Sequence, residues 1–125
     1  PVGPSDVQYL LIERTVLYRF LELIQALENG GYDHAALEVY YGFRSPTHNH
    51  AVGGAPKSQH LWGRAIDFWV HDVDRNGVAD MTDKKIVLDI LERKVIKNQG
   101  GIGRYLDNPS AIHIDVRGHR ARWDK

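Results

Sequence analysis

The sequence predicts an α+β fold, because its elements follow the order helix, strands, helix, strands. The first helix is predicted from apolar residues at helical spacing between Val7 and Leu27. Ser5 and Asp6 offer N-cap oxygens before it, and residues 29–31 (Asn-Gly-Gly) tolerate the left-handed conformation that ends a helix. These observations define one long amphipathic helix at the start of the fold.

Two strands are predicted next. Residues 36–43 are rich in Val, Tyr and Leu, and residues 65–70 form a second apolar run in which Asp67 points away from its apolar neighbours. Between them, the glycines and prolines of residues 45–57 predict a loop. Loops at such positions often carry binding groups.

The second half of the chain predicts another helix and two more strands. Asp83 is predicted to cap a helix that runs to about Ile96. Its inner stripe is Ile86, Val87, Ile90 and Leu91. The glycine-rich residues 100–105 predict a third short strand, and a turn at residues 107–109 leads to the strand that carries His113.

Composition limits the class of protein. The 125 residues, 42% of them hydrophobic, predict a single domain over residues 1–125. Sixteen basic and sixteen acidic residues cancel, which argues against capture of nucleic acid or of an anionic membrane. No apolar run is long enough to span a bilayer. There is no cysteine, which excludes disulfides and thiolate zinc sites. Because the chain opens at Pro1 and not at methionine, we expect that a leader or another domain has been removed.

The most informative segment holds His60 and Asp67, seven residues apart across a glycine. Imidazole and carboxylate are both zinc ligands, and a catalytic zinc site takes three protein ligands. The best source of the third is the alternating run 111–117, in which His113, Asp115 and Arg117 share one face of a strand expected to be half-buried. Spacing alone leaves open that these are ordinary packed or solvated residues.

A second cation site is predicted at residues 72–83, which fit the EF-hand loop pattern at its ligand positions. The expected calcium ligands are Asp72, Asp74, Asn76, the carbonyl of Val78, Asp80 and Asp83. Aspartate at the last position, in place of glutamate, favours weak affinity, and the role would be structural. The alternative is an acidic turn with a helix cap.

Three segments resemble the M15 metallopeptidases. They are the Ser-Gln-His-Leu-Trp-Gly-Arg-Ala-Ile-Asp run at 58–67, the Tyr-Gly-Phe-Arg-Ser-Pro run at 41–46, and the pair Gly-Ile-Gly-Arg-Tyr at 101–105 with Ile-His-Ile-Asp at 112–115. The resemblance is greatest to small peptidoglycan-directed carboxypeptidases, which share the fold of D-alanyl-D-alanine peptidases and hedgehog domains. It implies a zinc peptidase on a mostly antiparallel sheet flanked by helices, with zinc on His60, Asp67 and His113.

The resemblance also implies substrate-binding and catalytic residues. Arg44 corresponds to the family arginine that pairs with a substrate carboxylate, which suits its planar guanidinium. Ser58 and Gln59 lie beside the first ligand and are candidates for substrate contacts. Asp115, on the strand face of His113, is the first candidate for the general base, with Asp107 as the alternative.

The last motif departs from the family pattern, which leaves the base and one ligand open. Ser110 and Ala111 stand where better-known members carry an acidic residue or a second histidine. The departure also leaves open that Asp115 is the ligand and His113 the proton shuttle.

The expected function is therefore hydrolysis of peptidoglycan stem peptides or crosslinks, as a D,D-carboxypeptidase or an endopeptidase. The expected cofactors are catalytic zinc and structural calcium, and the expected location is periplasmic or extracellular. The competing hypotheses are a binding module that keeps the metal site without a working base, and a calcium-dependent adhesion domain. Oligomeric state is not predicted.

Overall fold

The computed structural model describes residues 14–41 and 63–125, and it confirms the α+β class for them. The elements in chain order are α1 (Arg14–Asn29), β1 (Leu37–Tyr41), β2 (Ala65–Val70), α2 (Met81–Ile90), a π-helical turn that continues α2 (Leu91–Val95), β3 (Gly101–Gly103), β4 (Ala111–Asp115) and β5 (Ala121–Trp123). The bounds of β2 are those that the sequence predicts.

The five strands form one sheet in the order β1-β2-β4-β3-β5. The pairs β1–β2, β2–β4 and β4–β3 are antiparallel, whereas β5 lies parallel to β3 at the sheet edge. The expectation of a mostly antiparallel sheet is therefore corrected to a mixed sheet. The difference comes from β5, because the sequence does not predict its parallel pairing with β3.

The core lies between the sheet and the helices. Alternate strand residues supply its sheet side, namely Ile66, Phe68 and Val70 of β2, Ile102 of β3, and Ile112 and Ile114 of β4. The helical side consists of Val16, Phe20, Leu23 and Leu27 of α1 with Val87, Ile90, Leu91 and Val95. The opposite sheet face is consequently left to the polar residues between these apolar ones. Among the described residues, no helix is long and apolar enough to cross a membrane.

Helix α2 begins earlier than the sequence predicts. Its N-cap is Asp80, whose carboxylate accepts a hydrogen bond from the Thr82 amide at 3.0 Å. Asp83, the predicted cap, is instead the third helical residue and accepts from the Asp80 amide at 2.8 Å. The two carboxylates thus form a capping box, in which each satisfies an amide that the first turn leaves without a helical partner.

Strand β5 is held to the end of the second helix by Arg122. Its Nε donates to Glu92 Oε2 at 2.8 Å and its Nη2 donates to Glu92 Oε1 at 3.0 Å, a two-pronged pairing of a guanidinium with a carboxylate. Hydrogen bonds from Arg122 and Arg120 lower the pKa of Glu92 to about 2, against a smaller opposing effect of burial. This contact fixes β5 beside β3.

Lys84 ties α2 to the segment between β3 and β4. Its side chain is fully buried, and its Nζ donates to the carbonyl oxygens of Tyr105 at 2.8 Å and Asn108 at 2.6 Å. Burial lowers its pKa from 10.5 to about 8, because an ammonium loses solvation inside a protein. Lys84 therefore positions the segment between β3 and β4, although burial disfavours the protonated form of its side chain.

This burial predicts a pH dependence of stability. Between about pH 8 and 10.5 the unfolded chain binds the Lys84 proton more tightly than the folded chain. The free energy of unfolding should therefore gain up to about 1.4 kcal/mol per pH unit from this group as pH rises. Urea unfolding of wild type and Lys84→Met at pH 7.5 to 9.5 measures the gain, which the variant should lack. Lys85→Met, at the exposed neighbour, is the control, and an equal slope in wild type and Lys84→Met would contradict the assignment.

Candidate metal centre

Asp67 and His113 face each other on neighbouring strands. The antiparallel register of β2 and β4 places Asp67 directly opposite His113, on the face away from the helices. The Oδ1 atom of Asp67 lies 2.8 Å from Nδ1 of His113, and each residue is only 6% exposed. The structure thus brings together two of the three zinc ligands that the sequence predicts.

The imidazole of His113 lies between two carboxylates. Its Nε2 is 2.8 Å from Oδ2 of Asp115, on the side opposite Asp67. Burial alone would lower the pKa of His113, but the hydrogen bonds and charges of Asp115 and Asp67 outweigh it and raise that pKa. Asp67 thus presents a carboxylate oxygen and His113 a ring nitrogen at the same point of the sheet, and both are ligand types that zinc binds.

The donor set fits zinc. Imidazole nitrogen and carboxylate oxygen bind Zn²⁺ at about 2.0–2.2 Å, so two ligand atoms of a tetrahedral ion stand about 3.3 Å apart. The observed 2.8 Å separation requires only a small opening of the Asp67–His113 pair. A third ligand is still needed, and the sequence assigns it to His60. His60 lies outside the described residues, as do Arg44, Ser58 and Gln59.

Both oxygens of Asp115 accept hydrogen bonds. Its Oδ1 accepts hydrogen bonds from the Gly101 amide at 2.8 Å and from Nε of Arg117 at 2.9 Å. Its Oδ2 accepts from Nη2 of Arg117 at 2.6 Å and faces His113. Burial opposes ionisation of Asp115, but the hydrogen bonds from His113 and Arg117 outweigh it and lower its pKa. Strand β4 is buried along its whole length, so the expected half-buried strand is corrected.

Sequence reasoning misses Trp123, which forms one wall of the site. Its ring lies 4.9 Å from the ring of His113, and the guanidinium of Arg117 lies over it at 5.2 Å. Strand β3 can approach this wall because residue 103 is glycine: a Cβ there would lie 2.8 Å from Nε1 of Trp123 and 3.0 Å from Cβ of His113. The signal in the sequence is this glycine, which marks a close approach, although it does not identify the partner.

A second pair of aromatic residues lies on the same face of β2 as Asp67. Trp69, two residues further along the strand and 38% exposed, stacks on Tyr40 with ring centroids 4.6 Å apart. The alternation of β2 places Trp69 on the face of Asp67, so the sequence contains the signal that locates it.

The loop at residues 72–83 brings three of its predicted ligands together. Carboxylate oxygens of Asp72, Asp74 and Asp83 all lie within 4.8 Å of one another. Partial burial and the neighbouring Asp72 raise the pKa of Asp74, so negative charge is crowded here. Asp80, also a predicted ligand, is instead the N-cap of α2, and its Oδ1 accepts a hydrogen bond from the Thr82 amide. The side chain of Asn76 accepts from the Val78 amide at 2.9 Å, which shapes the turn. The loop is therefore a candidate cation site of three carboxylates.

The comparisons with known proteins agree with this geometry. The sequence model of the family described as Peptidase M15 matches residues 11–115, which include β2 with Asp67 and β4 with His113. Among curated proteins, none matches the chain. Members of this family are zinc-dependent metallopeptidases, which is the chemistry that the Asp67–His113 pair suits. The match covers most of the chain, and the protein belongs to the peptidase M15 family.

Proposed function

We propose that this M15 metallopeptidase hydrolyses peptidoglycan stem peptides or crosslinks, as a D,D-carboxypeptidase or an endopeptidase. The observation that supports it most is the buried Asp67–His113 pair, whose carboxylate oxygen and ring nitrogen lie 2.8 Å apart. The choice of peptidoglycan rests on the motifs that resemble the peptidoglycan-directed branch. A periplasmic or extracellular location follows from that substrate and belongs to the same proposal.

In this proposal Asp67 and His113 bind the zinc together with His60. When bound, zinc makes water nucleophilic near neutral pH and polarises the scissile carbonyl. Arg44 binds a carboxylate of the substrate through its planar guanidinium, and Ser58 and Gln59 contact the substrate nearby.

Two carboxylates, those of Asp115 and Asp107, are candidates for the general base. Asp115 fits that role poorly, because both of its oxygens already accept hydrogen bonds and it is 0% exposed. Asp107 is exposed in the segment that joins β3 to β4, the hairpin that carries His113. Of the two carboxylates that the sequence offers, we therefore place the base on Asp107.

The ligand assignment predicts the effect of Asp67→Asn. The amide keeps the shape of the side chain but loses the charge, so zinc affinity should fall by more than about 100-fold, since even outer-shell changes cost about 10–100-fold. Zinc content by elemental mass spectrometry and muropeptide digestion by mass spectrometry measure the result. Asp89→Asn, on the exposed side of α2, is the matched control and should keep both zinc and hydrolysis. Full zinc content in Asp67→Asn would contradict the assignment.

The base assignment predicts that Asp107→Asn separates binding from turnover. The variant should keep zinc and substrate affinity, while kcat falls by about 10²–10⁴-fold, the usual contribution of a general base. Steady-state kinetics on a muropeptide together with zinc analysis test this. An unchanged kcat would remove Asp107 from the mechanism.

A binding module without catalysis is the second candidate, and one observation favours it. Besides the proposed ligand Asp67, the carboxylate in contact with His113 is that of Asp115, and its oxygens already accept hydrogen bonds from Gly101 and Arg117. A module of this kind would bind muropeptides in a zinc-dependent way and release no product at any enzyme concentration. Calorimetric titration combined with the digestion assay separates the two functions.

We also propose that the loop at residues 72–83 binds calcium as a structural ion. Its support is the three converging carboxylates of Asp72, Asp74 and Asp83. Oxygen donors suit a hard cation such as calcium. The Asp83 carboxylate joins this loop to the first turn of α2, so a bound ion would strengthen that junction.

Calcium should raise the thermal unfolding midpoint. At a concentration 100-fold above Kd, binding to the folded chain adds about 2.7 kcal/mol to the free energy of unfolding. Asp74→Asn should abolish the shift and keep the fold, because an amide oxygen can still accept from the Asn76 amide. Differential scanning calorimetry in EGTA and in excess calcium measures it, with Asp89→Asn as control. The same midpoint with and without calcium in wild type would contradict this site.

A further inference from the structure

We propose that Asp115 is a positioning residue, which with Arg117 and the Gly101 amide fixes His113 so that Nδ1 faces the metal. The inference rests on the zinc site of the proposed function and goes beyond its ligand set. It gives Asp115 a role different from the general base that the sequence suggests.

The two nitrogens of His113 have different neighbours. Nδ1 faces Asp67 at 2.8 Å, whereas Nε2 faces Asp115 at 2.8 Å. A histidine that binds a metal through one nitrogen carries its proton on the other, and that N–H commonly donates to a carboxylate. Since Asp67 is a zinc ligand in the proposal, the ligating nitrogen is Nδ1, and Nε2 donates to Asp115.

Asp115 can select this tautomer because it only accepts. Its oxygens already accept from the Gly101 amide and from Arg117, so the carboxylate presents acceptor lone pairs to Nε2, which is then the donor. Arg117 orients the carboxylate through Nε at 2.9 Å and Nη2 at 2.6 Å. The Nε2 side of the His113 ring therefore faces a carboxylate whose orientation is fixed by Arg117.

The backbone of β3 completes the arrangement. The Gly101 amide donates to Oδ1 of Asp115 at 2.8 Å, and a Cβ at residue 101 would lie 2.5 Å from Oδ2. Any larger side chain would push the carboxylate away from His113. Glycine at residue 101 is thus required by the position of Asp115.

The test uses nuclear magnetic resonance of His113 in the wild-type chain, with and without zinc. Long-range nitrogen–proton spectra distinguish a ring protonated at Nε2 from one protonated at Nδ1. In the zinc-loaded chain we expect the proton on Nε2 and the metal on Nδ1. The reverse arrangement would overturn the inference without any substitution.

Asp115→Asn is the first variant. Its amide can offer an N–H to Nε2, which favours the tautomer with the proton on Nδ1 and blocks that nitrogen as a ligand. Zinc affinity, measured by competition with a chromophoric chelator, should fall by about 10–100-fold. Gly101→Ala, which leaves Asp115 chemically unchanged but displaces it, should weaken zinc in the same direction. Asp89→Asn should bind zinc as wild type does.

The outcomes separate the inference from the proposed function. Wild-type affinity and an Nε2 proton in both Asp115→Asn and Gly101→Ala would overturn the positioning role while the zinc site stands. A wild-type chain in which zinc does not perturb the His113 spectrum would overturn the proposed function, and the positioning role with it. If Asp115→Asn does not fold, the wild-type spectrum and Gly101→Ala still decide.

Discussion

The structure depends on one pairing across neighbouring strands, the carboxylate of Asp67 against the imidazole of His113. Both groups are nearly buried, so neither can rely on water to stabilise its charge. The antiparallel register of β2 and β4 sets them opposite each other, and the same register places Ile66 against Ile114 on the core face. A shift of one residue would exchange the two faces, so the packing of the core and the geometry of the candidate metal centre are fixed together.

The surrounding elements hold this pair in place. Strand β3 lies close to β4 because residues 101 and 103 are glycines, which leave room for Asp115 and Trp123. Strand β5 brings Trp123 to the site and is itself fixed by the pairing of Arg122 with Glu92. Lys84 holds the carbonyls of the β3–β4 segment from the helical side. The acidic loop at residues 72–83 follows β2, which carries Asp67, and leads into α2, so it joins the candidate metal centre to the second helix.

Local patterns in the sequence predict much of the fold. Alternation identifies β2 and the polar face of β4, because side-chain direction in a strand follows from position alone. The start of α2 is missed by three residues, since Asp80 and Asp83 are both good capping residues and only their mutual hydrogen bonds show which one is the cap. Strand β5 and the role of Trp123 are missed because parallel pairing with β3 depends on distant contacts. The saturation of Asp115 is missed for the same reason, since the Gly101 amide is fourteen residues away along the chain.

We infer that Asp67 and His113 bind the same metal ion. Crystals of the zinc-loaded chain, measured with anomalous scattering at the zinc edge, test it most directly. We expect a zinc ion within bonding distance of a carboxylate oxygen of Asp67 and of Nδ1 of His113. Zinc located elsewhere, with Asp67 and His113 still hydrogen-bonded directly to each other, would contradict it.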